Sequence, residues 1–578
     1  MSKAPMIGID LGTCNSKIAV YQNGKVELIP SDIGENSLPS YIAFTGNKKL
    51  FGTSARNQMK NNPNNTLFNI KRLISLKFNQ KELNEQIKFF PFKVSQDNHT
   101  QKLQIELTNN KKLFIEEILA LELQKIRQIA SNYTKKEIKC AVVGVPNCFF
   151  LEQRELIKDA GKIAGFDFIK VVGEPILASF VYELNEPQNK DKKEENIFIF
   201  DLGGGYLKTA LMNLEDGLLE VKSVNDLSNI GGEDFDNRLI EYCSNEFKRI
   251  NNIDLMNNPK ALIRLRKECE KAKKNLSSSK KYVIEIEEII NGIDLNIEIT
   301  RDKFEELCDD LFQKIIPVIE QLLKEGEIKK EQVDEIFLIG GSSRIPKIQT
   351  MIKDFFNGKQ INKTLNPDET IACGAAIQGE IMTNVKDENL EKIILLDIIP
   401  FSLGIENEKG EMEVIVKKNS TVPCKKTIMF PTYEDNQKEI IIKLYEGENK
   451  LTNDNNLIGL IKLGDLPPKQ KGQIDIEITL DIDALYNINL EVLEKTSGKK
   501  NKMWINYNNY RLDENYMKKL ISDYQKENEN EKKILNIESK IEEIFDWIKN
   551  NKNASNDDID IKKEELINNI ENQIKGDI

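Results

Sequence analysis

Between Gln473 and Ile482 apolar and polar side chains alternate strictly. Ile474, Ile476, Ile478, Leu480 and Ile482 take one face, and Gln473, Asp475, Glu477, Thr479 and Asp481 take the other. A period of two predicts a strand with one buried face, and Ile440, Ile442 and Leu444 repeat it. Thr496-Ser497-Gly498-Lys499 reads as a hairpin loop, so this part of the chain is expected to form an antiparallel β-sandwich. Upstream the pattern is different. Short apolar runs at 6–9, 197–200 and 335–339 each lead into a glycine turn. Helical and strand patterns alternate up to about residue 384, as an α/β domain requires. Downstream, Asp513 reads as a helix N-cap, and Ile537, Ile541, Ile544 and Ile548 recur at helical spacing. Ser555 or Asn556 is the candidate cap of a last helix carrying Leu566, Ile567, Ile570 and Ile574.

The glycine turns carry the chemistry. They are Gly8-Ile9-Asp10-Leu11-Gly12-Thr13, Phe200-Asp201-Leu202-Gly203-Gly204-Gly205 and Leu338-Ile339-Gly340-Gly341-Ser342-Ser343-Arg344. Without side chains, backbone N–H groups can approach phosphate oxygens closely. In the first two turns an Asp ends the strand, where a carboxylate can hold the waters of a phosphate-bound Mg²⁺. A single turn of this kind is more often just a tight strand exit. Repetition of Asp-Leu-Gly roughly 190 residues apart instead points to two related halves, with a nucleotide clasped at the carboxyl ends of their strands.

Composition narrows the classes. A chain of 578 residues is long enough for several domains, each with its own core. A net charge of −11 argues against nucleic-acid binding as the main task. No apolar run approaches membrane-span length, and the N-terminus has no signal-peptide core. The eight cysteines include no CxxC pair, so they read as reduced cytoplasmic thiols rather than metal ligands. His99, the only histidine, lies in a polar stretch. Histidine general-base catalysis and zinc hydrolysis are thereby excluded, leaving carboxylates, lysines and bound metal.

Further motifs follow in order: Val145-Pro146, Gln153-Arg154, Lys158-Asp159-Ala160-Gly161, Gly173-Glu174-Pro175, Gly231-Gly232-Glu233-Asp234-Phe235-Asp236, Cys269 to Lys274, Leu276-Ser277-Ser278-Ser279, Asn366-Pro367-Asp368-Glu369 and Gly374-Ala375-Ala376. With the glycine turns, this series resembles the 70-kDa heat-shock chaperones of the DnaK type, from Met6 to about Trp504. The resemblance implies a multidomain chain. An actin-like α/β ATPase domain of two duplicated lobes would span 1–385 (lobe I about 1–190, lobe II about 191–385), followed by a linker at 386–400. An antiparallel β-sandwich for peptide binding would span 401–508, and a short α-helical lid 509–578.

It also implies roles. Lys71, Glu174, Asp10 and Asp201 would be catalytic, the two Asp residues holding Mg²⁺ through water. Gly12, Thr13, Cys14, Asn15, Gly203, Gly204, Gly205, Tyr206, Gly231 and Gly232 would surround the phosphates. Glu270, Lys273, Lys274, Ser277, Gly341, Ser342, Ser343, Arg344 and Asp368 would hold the nucleoside, with the Arg344 guanidinium stacked on the base. Ile405, Phe430, Ile440, Ile442 and Ile476 match the peptide pocket, although alternation alone reads them equally as sandwich core; Asn407, Glu408 and Tyr433 match the arch above it. A carboxylate at that rim would favour peptides with basic flanks. Pro146, Arg154, Leu395, Leu396 and Asp397 would couple the domains. The family's cofactors are ATP or ADP with Mg²⁺, with K⁺ as a further candidate. Its partners are unfolded polypeptides, a J-domain co-chaperone and a nucleotide exchange factor. The end, Gln573-Ile574-Lys575-Gly576-Asp577-Ile578, lacks the tail that other co-chaperones read, so no tail-reading partner is expected, nor nucleic acid or membrane.

Some positions depart from the pattern. Tyr206 and Lys208 stand where the family has a small hydroxyl and a carboxylate, and Cys14 replaces a phosphate-facing Thr. Lys208 would either repel a metal ion or pair with phosphate oxygens. Lys170, Gly173, Ile176 and Leu151 alter the surface expected to meet J-domain partners. The expected function is an ATP-dependent chaperone of slow or weakened hydrolysis. The alternative is a non-hydrolysing, nucleotide-binding holdase or co-chaperone. A sugar kinase or filament protein of the same superfold is disfavoured by the sandwich.

Overall fold

The computed structural model describes residues 5–46, 48–74, 76, 81–185, 194–383, 387, 390–505, 511–526, 547, 561–564 and 567. It forms two compact units, Met1–Gly161 with Phe166–Arg511, and Lys162–Gly165 with Leu512–Ile578.

The larger unit contains the duplication expected from the Asp-Leu-Gly repeat. In the first sheet, strand Ile7–Asp10 runs parallel to Cys140–Val145, which runs parallel to Phe168–Gly173. On its other side it pairs antiparallel with Asn15–Gln22, and that strand with Lys25–Leu28. The second sheet repeats the arrangement. Strand Glu195–Leu202 is parallel to Glu335–Ile339 and antiparallel to Tyr206–Glu215, which pairs with Leu218–Ser228. Asp10 and Asp201 therefore occupy equivalent places, each at the end of its sheet's inner strand just before a glycine turn.

These central strands are buried on both faces, which explains their continuous apolar runs. Helix Thr370–Met382 covers the first sheet with small residues, its Ala372, Gly374, Ala375 and Ala376 all buried. Its backbone lies so close that a Cβ on Gly8 would overlap the Ala376 nitrogen. Gly8 is a close-approach glycine rather than a turn glycine.

The sandwich is two four-stranded antiparallel sheets. One has the order Met412–Val416, Leu403–Glu406, Glu439–Glu446, Asn456–Gly464. The other has the order Cys424–Phe430, Ile476–Ile482, Ile488–Glu494, Lys500–Trp504. The alternating residues Ile476, Ile478, Leu480 and Ile482 are all fully buried between them, and residues 496–499 form the hairpin connection between the last two strands. Ile394–Leu396, in the segment read as a linker, is a strand. It extends the second lobe's sheet by pairing parallel with Leu218–Glu220.

The sandwich also packs on the first lobe. Phe150 stacks on Phe401 with ring centroids 4.4 Å apart, and the Arg154 guanidinium lies over the Tyr486 ring at 5.6 Å. Lys418 and Asn419 reach Glu325 of the second lobe at 2.9 and 3.1 Å.

In the smaller unit residues 514–526 are helical, and Asp513 accepts hydrogen bonds from the Asn515 and Tyr516 N–H groups, as a cap does. The stripe Ile537, Ile541, Ile544 and Ile548 lies outside the described residues, as do Ser555, Asn556, Leu566, Ile570 and Ile574. Ile567 is helical and exposed.

Candidate functional site

The two Asp-bearing turns face one another across a cleft enclosing about 220 Å³. Strand ends deliver Asp10 and Asp201 to its floor, and the glycines are required there by space. A Cβ on Gly204 would overlap Cys14 Sγ, and one on Gly205 would come within 2.9 Å of Thr13 Oγ1. A third backbone segment closes the second loop, where Gly232 N–H donates to Gly203 O at 2.9 Å and Glu233 N–H to Gly204 O at 2.8 Å. Ser342 Oγ donates to the Gly203 carbonyl at 2.9 Å, tying in the third glycine turn.

Lys71 crosses the floor from the first lobe. Its ammonium donates to Leu11 O at 2.5 Å and to Glu174 Oε1 at 2.6 Å. Lys208 comes from the second lobe, 2.6 Å from Asp201 Oδ2 and bonded to Glu174 Oε2. Burial alone would lower the pKa of Lys208; the charges of Asp201 and Glu174 outweigh it and hold the ammonium above the ordinary lysine range. Burial likewise opposes ionisation of Glu174, but Lys208 and Lys71 overcome it and bring the carboxyl down to about 2. Asp10 is pushed up to about 6, by burial first and then by the charge of Glu174.

This pairing bears on how the floor would meet a divalent ion. Asp201, expected in the metal's water shell, is paired with Lys208, and Glu174 beside it is shared by Lys208 and Lys71. At about 4 Å that ammonium alone would repel a dication by about 8 kcal/mol at an effective dielectric constant of about 20, an amount that one carboxylate at the same distance would offset. Among the described residues no group of three or more His, Cys, Asp or Glu is arranged to hold a metal ion. A Mg²⁺ ion placed directly between Asp201 and Glu174 would have to displace the Lys208 ammonium. The Lys208 ammonium bonds to both carboxylates.

Nearer the mouth, Glu233 gathers Cys14 Sγ at 3.3 Å, Asn69 Nδ2 at 2.8 Å and the Arg266 guanidinium. The Cys14 thiol is thus committed to a carboxylate, and burial, then that carboxylate, keeps its pKa high. Tyr206 donates to the Lys71 carbonyl at 3.3 Å and meets the Phe149 ring edge-on. Arg72–Asp234 at 2.7 Å and Arg56–Glu270 at 2.9 Å join the lobes on either side. Lys273 holds Gly232 O and Asp236, both at 2.7 Å. Lys274 pairs with Glu270, and Arg344 with Asp368, each at 2.6 Å.

Of the residues expected at the nucleotide, all but Gly231, Ser343 and Arg344 line this cleft. Gly231 packs directly behind Gly204, and Ser343 Oγ donates to the Gly340 carbonyl. Lys17, Glu233, Asp236, Gly340, Ile345, Pro367 and Ile371 line it too, beyond the residues that the resemblance implies. Glu233 and Asp236 belong to the acidic motif Gly231–Asp236, of which the resemblance assigns only the glycines to the nucleotide.

In the sandwich, Ile405, Phe430, Ile440, Ile442 and Ile476 all lie in the buried core, and the Tyr433 ring stands edge-on to Phe430 at 5.3 Å. Asn407 caps its own turn, accepting from the Lys409 and Glu411 N–H groups. Glu408 pairs with Lys471 at 2.8 Å, so its charge has a partner already. Asp397 is buried, accepting from the Ile398 N–H through its side chain and from the Val422 N–H through its carbonyl. Burial, and then the Asp397 charge, raises the Tyr486 hydroxyl well above its usual pKa. Pro146 precedes the loop whose Asn147 and Phe149 carbonyls hold Arg154, at 3.3 and 3.0 Å.

A duplicated actin-like cleft, joined by a strand-forming segment to a two-sheet sandwich, defines the architecture of a heat-shock chaperone. The family model described as Hsp70 protein matches residues 6–578. The chain is 43% identical to a heat shock 70 kDa protein of Trichophyton rubrum over 90% of its own length and 80% of that protein's. It is 41% identical to heat shock cognate 70 kDa protein 3 of Dictyostelium discoideum, over 96% and 89% of the two chains. A heat shock 70 kDa protein of Emericella nidulans is 39% identical, over 97% and 92%. The chain belongs to the Hsp70 family. Members of that family bind ATP or ADP with Mg²⁺, unfolded polypeptides and co-chaperones. Among the described residues no helix is long and apolar enough to cross a membrane.

Proposed function

We propose that this chain is a nucleotide-switched chaperone of the cytoplasm that binds and releases extended apolar peptide segments, with slow ATP hydrolysis. The observation that carries this reading is the path from cleft to sandwich. The strand ending in Asp201 pairs with Tyr206–Glu215, that strand with Leu218–Ser228, and that in turn with Ile394–Leu396, immediately before the sandwich. A nucleotide that shifts the Asp201 loop has a continuous hydrogen-bonded route to the linker. Lys71 would meet the terminal phosphate, with Glu174 orienting it and the attacking water. J-domain and exchange-factor partners would act on this same switch.

A second reading has its own support: Lys208 and Tyr206 crowd the phosphate floor, which suits a nucleotide-locked holdase or co-chaperone. Release of a fluorescent peptide with an apolar centre separates the two. ATP should accelerate release, and Asp397→Ala should remove the acceleration while leaving peptide binding intact. Equal release rates with ATP, ADP and no nucleotide would sink the switch and leave the holdase.

Nucleotide binding itself is tested by melting. ATP should raise the melting temperature by mass action. Arg344→Ala should remove much of that rise without moving the nucleotide-free melt, because its pair with Asp368 is exposed. A rise that survives intact in Arg344→Ala would take Arg344 out of the nucleoside site.

A further inference from the structure

We infer that this chain binds a nucleoside polyphosphate without a divalent cation, the Lys208 ammonium serving as the resident counter-ion. The inference rests on the nucleotide reading of the cleft and adds to it which form of nucleotide the site accepts.

Lys208 is fixed in place. It belongs to the middle of a three-strand ladder, opposite Asp201 on one side and Asp226 on the other. Its side chain is 6% exposed, and both carboxylates hold the ammonium away from solvent. It also stands at the phosphate loop, since a Cβ placed on Gly203 would be 3.7 Å from Lys208 Nζ with no other side chain as near. Lys71 approaches the same floor from the opposite lobe, and the two ammoniums share Glu174 between them.

The charge pattern matters more than either residue. Asp10, Glu174 and Asp201 line the cleft together with Lys17, Lys71 and Lys208, and Glu233, Asp236, Glu270, Asp368, Lys273 and Lys274 line it as well. Where carboxylates alone face a polyphosphate, a dication is needed to relieve their mutual repulsion. Here lysines already supply that charge. Asp201 and Glu174 are already ion-paired, so a further dication would gain only Asp10 and would face fixed ammoniums.

The test is calorimetric titration of the full chain with ATP, once with excess EDTA and once with excess MgCl₂. Wild-type dissociation constants should agree within about threefold between the two conditions. A wild-type affinity about tenfold or more weaker in EDTA would overturn the inference while leaving the nucleotide reading standing. No binding in either condition would sink the nucleotide reading and this inference with it. Lys208→Asp should restore metal dependence, binding on the order of a hundredfold more weakly in EDTA than in Mg²⁺. Should Lys208→Asp fail to fold, Lys208→Met should still lose about tenfold in EDTA. A folded variant that binds ATP in EDTA as tightly as wild type would show that the ammonium is not the counter-ion.

Discussion

Replacing Gly231 by alanine should weaken ATP binding by a hundredfold or so while leaving peptide binding by the sandwich unchanged. The backbone of Gly231 is extended, with φ −171°, a conformation alanine adopts freely. The obstacle is space. A Cβ there would sit 2.5 Å from the Gly204 carbonyl carbon and 2.5 Å from the Gly205 nitrogen, where ordinary contact begins near 3.4 Å. Neither atom belongs to a flexible side chain, so the loop or the start of helix Gly232–Asn251 must move by about 1 Å, enough to misalign the N–H groups offered to a phosphate. Gly24→Ala is the contrasting control. Its φ of +76° is strained for alanine, but nothing lies within 4 Å, so it should cost about 1 kcal/mol of stability and no ATP affinity. Calorimetric titration of both variants checks this. Tight ATP binding by Gly231→Ala would mean that the loop yields at no cost and does not position the nucleotide.

How far such a site can be read without coordinates depends on the range of its contacts. Alternation at Ile474–Ile482 and the repeated Asp-Leu-Gly turns depend on neighbours along the chain, and the sandwich and the duplicated lobes follow from them. Partner choice is different. That Lys208 lines the cleft followed from its place two residues beyond Tyr206. That it bonds to Glu174, 34 positions away, does not follow from any local spacing. Glu233 is similar: its partners Asn69 and Cys14 lie 164 and 219 positions away, in the other lobe. Period-two patterning also left open whether Ile405 and Ile476 face a groove or the core, because both are apolar surroundings. Both side chains are buried in the sandwich's apolar cluster, as either reading requires.

The contact furthest from any sequence signal predicts a pH response. Glu446 ends a sandwich strand, is 1% exposed, and accepts from the Leu151 N–H through both carboxyl oxygens, at 3.2 and 3.1 Å. Leu151 is the first residue of helix Leu151–Ile163 in the first lobe, so a carboxyl from one domain caps a helix of another. Burial raises its pKa to about 8, with Glu152 and Glu448 adding to the rise and the Leu151 N–H and Arg154 opposing it. An exposed glutamate titrates near 4.3. The docked form therefore holds a proton that the separated form releases. Docking should be tightest below the exposed value, weaken by about 1.4 kcal/mol, or tenfold, per pH unit above it, and level off beyond about pH 8. Glu446→Gln keeps an acceptor for the Leu151 N–H but cannot ionise, so its docking should be flat across the same range and stronger than wild type at pH 8. Limited proteolysis of the segment around Ile394–Leu396, normalised to a control peptide at each pH, reads the separated fraction because pairing with Leu218–Glu220 protects it. Wild-type cleavage should accelerate by on the order of a hundredfold between pH 6 and pH 8, while the variant's should not change. Equal acceleration in Glu446→Gln would assign the response to another group, and a flat wild-type profile would mean that Glu446 is ionised even when docked.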